Sequence, residues 1–322
     1  MAASPRVQWR PDPDARAHSR MGHWLTWLQG EHQLAFDDYD AAWNWSTSDL
    51  GTFWRSIWDY FDVRSGTPVS HALEGEGIAD ARWFPGVEIN YAEHALRLDG
   101  RADSDVIVMA RSQTREPLSL SVRQLREEVA RARAGLAALG VGPGDRVAGY
   151  VSNIPEALIA FLATAGLGAI WSSCSPELGV RSVVERFEQI EPKVLVTVDG
   201  YRYGRKAIDR NEEVAAITAA LPSLRQVVVI PHLHDGPVRI EGAMSWTELV
   251  SQEPSEAVCR VPFDHPLAIL FSSGTTGPPK AIVHGHGGLL LEHLKLLGLH
   301  TDLGPDDRFF WLTTTSWMMW NY

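Results

Sequence analysis

The sequence predicts an α/β fold in which a parallel β-sheet is preceded by a helical segment rich in tryptophan. Short apolar runs of strand length alternate with longer amphipathic runs between residues 106 and 271, which is typical of βαβ units with right-handed crossovers. Ahead of them, apolar residues recur at spacings of three and four between residues 50 and 61, as along one face of a helix. A loop rich in Ser, Gly and Thr follows the last apolar run, where ligands of parallel sheets bind.

The elements follow from local patterns. Ser48 or Asp49 can cap the aromatic helix, whose apolar stripe we expect in a core rather than in a ligand site. Ser121 and Gln124 form a capping-box pattern, which predicts a helix that Gly140 ends. Further helices are predicted at residues 153–165, 180–189 and 245–249. The predicted strands lie at residues 106–109, 147–151, 169–171, 194–198, 227–230 and 267–271.

The composition, with 45% hydrophobic and 21% charged residues, indicates a globular protein. A net charge of -11 argues against broad nucleic-acid binding, which needs a basic face, but allows a nucleotide ligand. Two cysteines form neither a disulfide framework nor a metal set, so we expect a reducing cytoplasm. We expect no signal peptide, and the longest apolar run, at residues 157–171, is too short to span a membrane.

The loop after the last strand has the composition of a polyphosphate site. Its hydroxyls and N–H groups can donate to phosphate oxygens, its glycines allow close approach, and its lysine adds positive charge. The residues concerned are Ser272, Ser273, Gly274, Thr275, Thr276, Gly277 and Lys280. A Ser- and Gly-rich surface loop is the plain alternative. A P-loop does not fit, because Ala281 stands where that motif needs Ser or Thr after the lysine.

Residues 271–280 resemble the phosphate-binding signature of the acyl-adenylate-forming enzymes. The resemblance implies that the loop holds the β- and γ-phosphates of ATP while a carboxylate attacks the α-phosphate. It assigns catalytic roles to Thr276 and Lys280, with Thr275 beside them. It also implies Mg²⁺, whose ligand we expect beyond the end of this chain.

Four further segments match this family, the last of them at residues 313–321. Residues 83–93 resemble the entry segment of its acetyl- and acetoacetyl-CoA synthetase branch. Residues 168–177 resemble the family's strand and Ser-rich turn, to which we assign no catalytic role. Residues 199–206 form a cationic turn, which charge alone would place in solvent. Its resemblance to acetyl-CoA synthetases implies that Arg202 and Arg205 bind the phosphorylated end of coenzyme A.

The segment Thr313 to Asn321 resembles the element that lines the acyl pocket in this family. We interpret Trp317, Met318 and Met319 as pocket walls, with core packing as the alternative. The Trp-Met-Met-Trp-Asn run is more similar to acetoacetyl- than to acetyl-CoA synthetases. Ser316 stands where the family typically has glycine, so its Cβ is expected to shift this loop.

Two residue types invite other chemistry. Cys174 is expected to be a small buried residue rather than a nucleophile. His284 and His286 lie two residues apart without a nearby cysteine or carboxylate, so we interpret them as loop histidines and predict no metal site.

The resemblance therefore implies an AMP-forming acyl-CoA ligase that uses ATP, Mg²⁺ and coenzyme A, with acetoacetate as the favoured acid. Another short-chain acyl-CoA synthetase is the first alternative, and a truncated, non-catalytic nucleotide- or CoA-binding remnant is the second. We predict an N-terminal segment at residues 1–95 and the first part of an AMP-binding domain at residues 96–322. The apolar chain end suggests a fragment without the C-terminal domain, inactive alone. Only small-molecule partners are predicted.

Overall fold

The computed structural model describes residues 10, 12–274 and 277–321. The described residues fall into two compact units. Unit 1 is drawn from Met1–Val63, Ser70–Pro85 and Leu291–Phe310. Unit 2 is drawn from Arg64–Val69, Gly86–Leu290 and Trp311–Tyr322.

Unit 1 is mainly helical. Its helices are α1 (Ala15–His18), α2 (Arg20–Glu31), α3 (Tyr39–Ser48) and α4 (Leu50–Tyr60). The strands β1 (Leu73–Glu74) and β2 (Arg82–Trp83) pair antiparallel. A π-helix, Leu294–His300, also belongs to this unit.

Helix α4 confirms the predicted aromatic helix. The Asp49 carboxylate caps it by accepting from the N–H of Thr52 at 3.2 Å. Ile57 and Trp58 are buried, and the Trp58 ring stacks on Phe84 with 4.8 Å between centroids. Leu50, which the same spacing assigns to the buried face, is exposed instead.

Unit 2 contains strands β3 to β15 and most of the remaining helices. The strands are β3 (Glu88–Ile89), β4 (Val106–Ala110), β5 (Leu118–Ser121), β6 (Arg146–Tyr150), β7 (Ile170–Cys174), β8 (Val194–Val198), β9 (Gly200–Tyr203), β10 (Lys206–Asp209), β11 (Gln226–Ile230), β12 (Met244–Ser245), β13 (Val261–Pro262), β14 (Pro266–Ser272) and β15 (Lys280–Gly285). The helices of unit 2 are α5 (Tyr91–Ala95), α6 (Val122–Ala138), α7 (Pro155–Gly166), α8 (Val180–Phe187), α9 (Asn211–Ala220) and α10 (Trp246–Leu249). Helix α11 (His286–His293) begins in unit 2, and its last three residues belong to unit 1.

The central sheet has seven strands in the order β12-β11-β8-β6-β7-β14-β15. All neighbours are parallel except β14 and β15, which form an antiparallel pair at one edge. Strand β6 lies between β7 and β8, so the strands that follow β6 in the chain are placed on opposite sides of it and the strand order reverses there. Ligands of such sheets bind at the carboxyl ends of the strands near this reversal. The predicted strand at residues 106–109 forms, but it pairs with β5 outside the central sheet.

Helices cover both faces of the sheet, as βαβ units require. One core includes Phe161 and Leu162 of α7 with Val147 of β6. The other includes Val183 and Phe187 of α8 with Val214 of α9. The capping box at Ser121 is present, with its side chain accepting from the N–H of Gln124 at 3.3 Å. The predicted α/β class and parallel βαβ units are confirmed.

The helices of the described residues include none that is both long and apolar enough to cross a membrane.

Candidate active site

The phosphate loop connects β14 to β15 at the carboxyl end of β14, as predicted. The antiparallel ladder pairs Ser272 with Lys280, so the two residues face each other at the base of the loop. Lys280 is exposed, and no acidic side chain of the described residues forms an ion pair with it. Its charge is therefore available to a ligand.

The loop turns back tightly on itself. A Cβ at Gly274 would lie 2.9 Å from the carbonyl oxygen of Pro278, closer than real Cβ contacts come, so this position requires glycine. A Cβ at Gly277 would meet open space. Gln189 follows α8, and its side chain donates to the carbonyl oxygen of Pro279 at 3.1 Å. The candidates Thr275 and Thr276 lie outside the described residues.

Strand β7 corrects the sequence interpretation of Ser172 and Ser173, which were expected in a Ser-rich turn. Both residues lie in the strand and are buried. The strand continues through them because their hydroxyls find main-chain acceptors. Ser172 Oγ donates to the carbonyl oxygen of Ile269 at 2.7 Å, which joins β7 to β14.

Three hydroxyl groups, together with the backbone N–H of Ser175, attach the segment 313–321 to the carboxyl ends of β6 and β7. Ser173 Oγ donates to the carbonyl oxygen of Thr315 at 2.7 Å, and Thr315 Oγ1 donates to that of Val151 at 2.6 Å. The backbone N–H of Ser175 donates to Ser316 Oγ at 2.5 Å. We call Ser173, Ser175, Thr315 and Ser316 the hydroxyl clasp. Sequence reasoning assigned no such role to Ser173, Ser175 or Thr315.

The clasp explains Ser316 at a position where glycine was expected. Its backbone does not lie in the left-handed region, so glycine is not required there. Its hydroxyl instead satisfies the Ser175 N–H just beyond the end of β7. The side chain therefore anchors the segment.

The candidate pocket walls lie beside the clasp. Trp317, Met318 and Met319 are 62%, 42% and 38% exposed, so they do not pack in the core of the described chain. Trp320 anchors the end of this short 3₁₀ turn, Met318–Trp320. Its ring lies 6.2 Å from that of Phe161, and its Nε1 donates to Asn153 Oδ1 at 2.9 Å.

Arg202 and Arg205 lie on a β-hairpin, formed by β9 and β10, rather than on a simple turn. The hairpin follows directly from the carboxyl end of β8. Its backbone is held from outside, since the N–H groups of Arg202 and Gly204 donate to Thr114 Oγ1 at 3.1 Å and to Gln113 Oε1 at 2.8 Å. Both arginines are exposed, and neither pairs with a carboxylate within the described ranges.

A buried carboxylate holds the neighbouring loop. Asp199 lies between β8 and β9 and accepts from the backbone N–H groups of His232, Leu233 and His234 at 2.8, 2.8 and 2.9 Å. These three contacts satisfy its buried charge and fix the chain that follows β11. We therefore assign Asp199 a structural role.

Cys174 is buried, as predicted, and burial raises the pKa of its thiol to about 12, which argues against a nucleophile. The interpretation of His284 and His286 as loop residues is wrong. His284 lies in β15, and His286 begins α11 fully buried. Burial lowers the pKa of His286 to about 3, and its Nδ1 accepts from the Tyr91 N–H at 3.1 Å. Within the described ranges, no three His, Cys, Asp or Glu residues are grouped to hold a metal.

Comparison with protein families agrees with this geometry. The family described as AMP-binding enzyme matches residues 98–320. The chain belongs to this family. A second family, described as Acetyl-coenzyme A synthetase N-terminus, matches residues 39–95. The two matches confirm the resemblance to acyl-adenylate-forming enzymes.

Individual relatives cover nearly the whole chain. It is 39% identical to the acetoacetyl-coenzyme A synthetase of Rhizobium meliloti, over 98% of this chain and 49% of that protein. It is 34% identical to the malonamoyl-CoA synthetase vrtB of Penicillium aethiopicum, over 98% and 46%. The solved acetoacetyl-CoA synthetase from Streptomyces lividans matches with a TM-score of 0.94 and 48% identity, over 98% and 49%. The chain thus spans about half the length of these relatives.

Proposed function

We propose that this chain is part of an AMP-forming acyl-CoA ligase that activates acetoacetate. The observation that carries the proposal is that three candidate subsites lie at the carboxyl ends of the strands of the central sheet. The phosphate loop follows β14, the cationic hairpin follows β8, and the clasped segment covers the ends of β6 and β7. Relatives named acetoacetyl-CoA synthetase support acetoacetate as the acid.

The reaction has two steps. A carboxylate oxygen of the acid attacks the α-phosphorus of ATP, and the bond to pyrophosphate breaks to leave an acyl-adenylate. The sulfur of coenzyme A then attacks the acyl carbon, its proton is lost, and AMP leaves with the electrons of the broken C–O bond. Both steps build negative charge, which fixed donors and cations stabilise.

The phosphate loop is proposed to hold the β- and γ-phosphates. Ser272, Ser273 and the N–H groups of Gly274, Thr275, Thr276 and Gly277 would donate to the phosphate oxygens. Thr276 and Lys280 would stabilise charge that develops on the departing pyrophosphate. The ammonium of Lys280 is exposed and forms no ion pair with an acidic side chain of the described residues, which supports this role. Mg²⁺ would arrive with ATP, and no described residue is assigned to it, because no three His, Cys, Asp or Glu residues in the described ranges are grouped to hold a metal ion.

Arg202 and Arg205 are proposed to bind a phosphate of coenzyme A. Their guanidinium groups can pair with phosphate through two parallel hydrogen bonds. The hairpin presents both side chains to solvent, and Thr114 and Gln113 fix its backbone from outside. A fixed hairpin loses less freedom on binding than a mobile loop does.

Trp317, Met318 and Met319 are proposed to line the acyl pocket, with the hydroxyl clasp setting their position. The relative named malonamoyl-CoA synthetase raises malonamate as a second candidate substrate, because acetoacetate and malonamate both have a carbonyl group at the β-carbon. Acetate or propionate remains an alternative substrate, and a non-catalytic nucleotide- or CoA-binding remnant remains the alternative of another class.

We further propose that the chain consists of two segments, residues 1–95 and residues 96–322. We also propose the cytoplasm as its location, because both cysteines are free thiols.

Pyrophosphate exchange with a panel of acids tests the function. The panel contains acetate, propionate, butyrate, acetoacetate, malonamate and 3-hydroxybutyrate, and it is run on this chain and on the longest reading frame that contains it. We expect exchange to be selective for acetoacetate in the longer form. Faster exchange with acetate or propionate than with acetoacetate would reject acetoacetate as the substrate. No exchange in either form would favour the hypothesis of a non-catalytic remnant.

A further inference from the structure

Unit 1 contains a pocket of about 320 Å³ that takes no part in the proposed reaction. This volume lies within the range of small-molecule sites. The lining is mostly apolar, with a few polar groups. Its apolar residues include Trp24, Leu25, Trp43, Leu50, Phe53 and Trp54. Their aromatic rings provide the large, rigid surface on which ligands are often bound.

The wall of the pocket that carries the ammonium group of Lys295 is a π-helix. Lys295, Leu299 and His300 belong to the segment Leu294–His300, which has π-helical hydrogen bonding over seven residues. Such segments are rare and are found frequently at functional sites. A Cβ at Gly298 would lie 2.6 Å from the Phe61 ring, so glycine allows this segment to pack closely against Phe61. The π-helix is therefore a second, independent sign of a binding site.

The polar lining favours a ligand that accepts hydrogen bonds. Trp24 is 3% exposed, and its indole N–H is buried without a hydrogen-bond partner among the described residues. Lys295 gives one of its three N–H donors to Glu292 at 2.8 Å. The pocket lining in the described ranges includes no aspartate or glutamate, in a protein of net charge -11.

A cationic ligand is the alternative that aromatic walls suggest, because ammonium groups bind over aromatic rings. Here the protein already provides that contact. Lys295 Nζ lies 5.0 Å from the centroid of the Trp54 ring, and its charge would repel a second cation. An anion with an apolar body complements both the ammonium and the walls.

We propose that this pocket binds a medium-chain carboxylate, with the hydrocarbon chain among Trp24, Trp43 and Phe53 and the carboxylate at Lys295. The proposal does not depend on the acid that the candidate active site activates. The pocket lies within unit 1, whereas the phosphate loop, the hairpin and the clasp lie in unit 2. We expect its occupant to be a second ligand that is bound without turnover, and competition with acetoacetate tests this.

Calorimetric titration of the purified chain with octanoate tests the site. We expect binding that weakens about fifteenfold with hexanoate, since it has two methylenes fewer and each methylene removed lowers affinity roughly fourfold. Octanamide, which has the same length without the charge, should bind about tenfold more weakly than octanoate.

Variants separate the site from general apolar binding. Lys295→Gln should weaken octanoate about tenfold and leave octanamide unchanged, whereas Lys295→Arg should keep octanoate within about threefold of the native affinity. Arg181→Gln, at an exposed cation of unit 2 outside every proposed subsite, is the control for loss of a positive charge and should change nothing. Ala42→Leu should fill part of the pocket and weaken both ligands, and thermal unfolding of each variant confirms that it folds.

Three outcomes would overturn the proposal. They are no octanoate binding, an octanoate affinity that Lys295→Gln does not change, and displacement of octanoate by saturating acetoacetate. The last would assign octanoate to the acid subsite of unit 2. Failure of acetoacetate-dependent pyrophosphate exchange would leave octanoate binding unaffected, so the two proposals fail separately.

Discussion

The hydroxyl of Ser316 accepts a hydrogen bond from the backbone N–H of Ser175 at 2.5 Å. This bond ties the candidate acyl-pocket segment to the chain that leaves the central strand β7. Thr315 adds two more bonds, one to Ser173 and one to Val151. The position of Trp317 and the two methionines relative to the sheet therefore depends on hydroxyl groups to which no catalytic role is assigned.

Ser316→Gly tests this anchoring role in the longer reading frame. The variant removes the acceptor of the Ser175 N–H and adds backbone freedom, so we expect the KM for the acid to rise several-fold. The KM values for ATP and coenzyme A should change by less than twofold, because the bonds of the clasp among the described residues join neither the phosphate loop nor the cationic hairpin. Ser316→Thr keeps the hydroxyl and should restore most of the native KM; equal KM values in all three proteins would contradict the role.

Lys280→Ala tests the phosphate loop. Loss of a well-placed charge that acts in the transition state typically costs about 3 to 4 kcal/mol, so we expect pyrophosphate exchange to fall roughly 10²- to 10³-fold. Lys206→Ala serves as the matched control, because that lysine is also exposed but lies on the hairpin strand β10. Unchanged exchange in Lys280→Ala would exclude Lys280 from the site.

Arg202→Ala and Arg205→Ala test the coenzyme A contact. Each should raise the KM for coenzyme A about tenfold, because a charge-assisted bond to phosphate is lost, and should leave acid-dependent pyrophosphate exchange unchanged. Arg181→Ala is the control, since Arg181 is exposed and pairs only with Glu185 on its own helix among the described residues. Loss of pyrophosphate exchange in the two variants would instead assign the arginines to adenylation.

His286 predicts a pH dependence of stability. Burial lowers its pKa to about 3 in the folded chain, against 6.5 in the unfolded chain. The unfolded state therefore binds the proton first, so this contribution is complete above about pH 6.5 and is lost as the pH falls toward 3. Between pH 6.5 and pH 4 the free energy of unfolding should drop by about 3 kcal/mol from this residue.

Urea unfolding of the native chain and of His286→Gln at several pH values measures this term. Glutamine keeps an acceptor for the Tyr91 N–H but does not titrate in this range. The variant should be less stable at neutral pH and should lose less stability on acidification. His232, whose pKa burial lowers to about 4, remains in both proteins and cancels in the comparison. Parallel pH profiles would show that His286 is not the titrating group.

Local patterns predicted the elements that position the site. The Ser121 capping box and the aromatic spacing of α4 act within a few residues, so the sequence alone indicates them. The phosphate loop was predicted because its ten residues are contiguous. The strand β7 was predicted too short, because buried serines look like turn residues until their acceptors are known. Ser172 donates to Ile269, which lies 97 residues away in the chain.

The sequence by itself determined the alternating α/β fold, the loop after β14 and the pair of arginines beyond β8, because periodicity and contiguous motifs are local properties. Only the tertiary structure decided that Ser316 anchors to Ser175 across 141 residues, that His286 is buried and that unit 1 contains an aromatic pocket. Each of these depends on which distant segments meet, and residue type does not specify a distant partner for a hydroxyl, an imidazole or an indole. Burial and hydrogen-bond satisfaction in the folded chain select that partner.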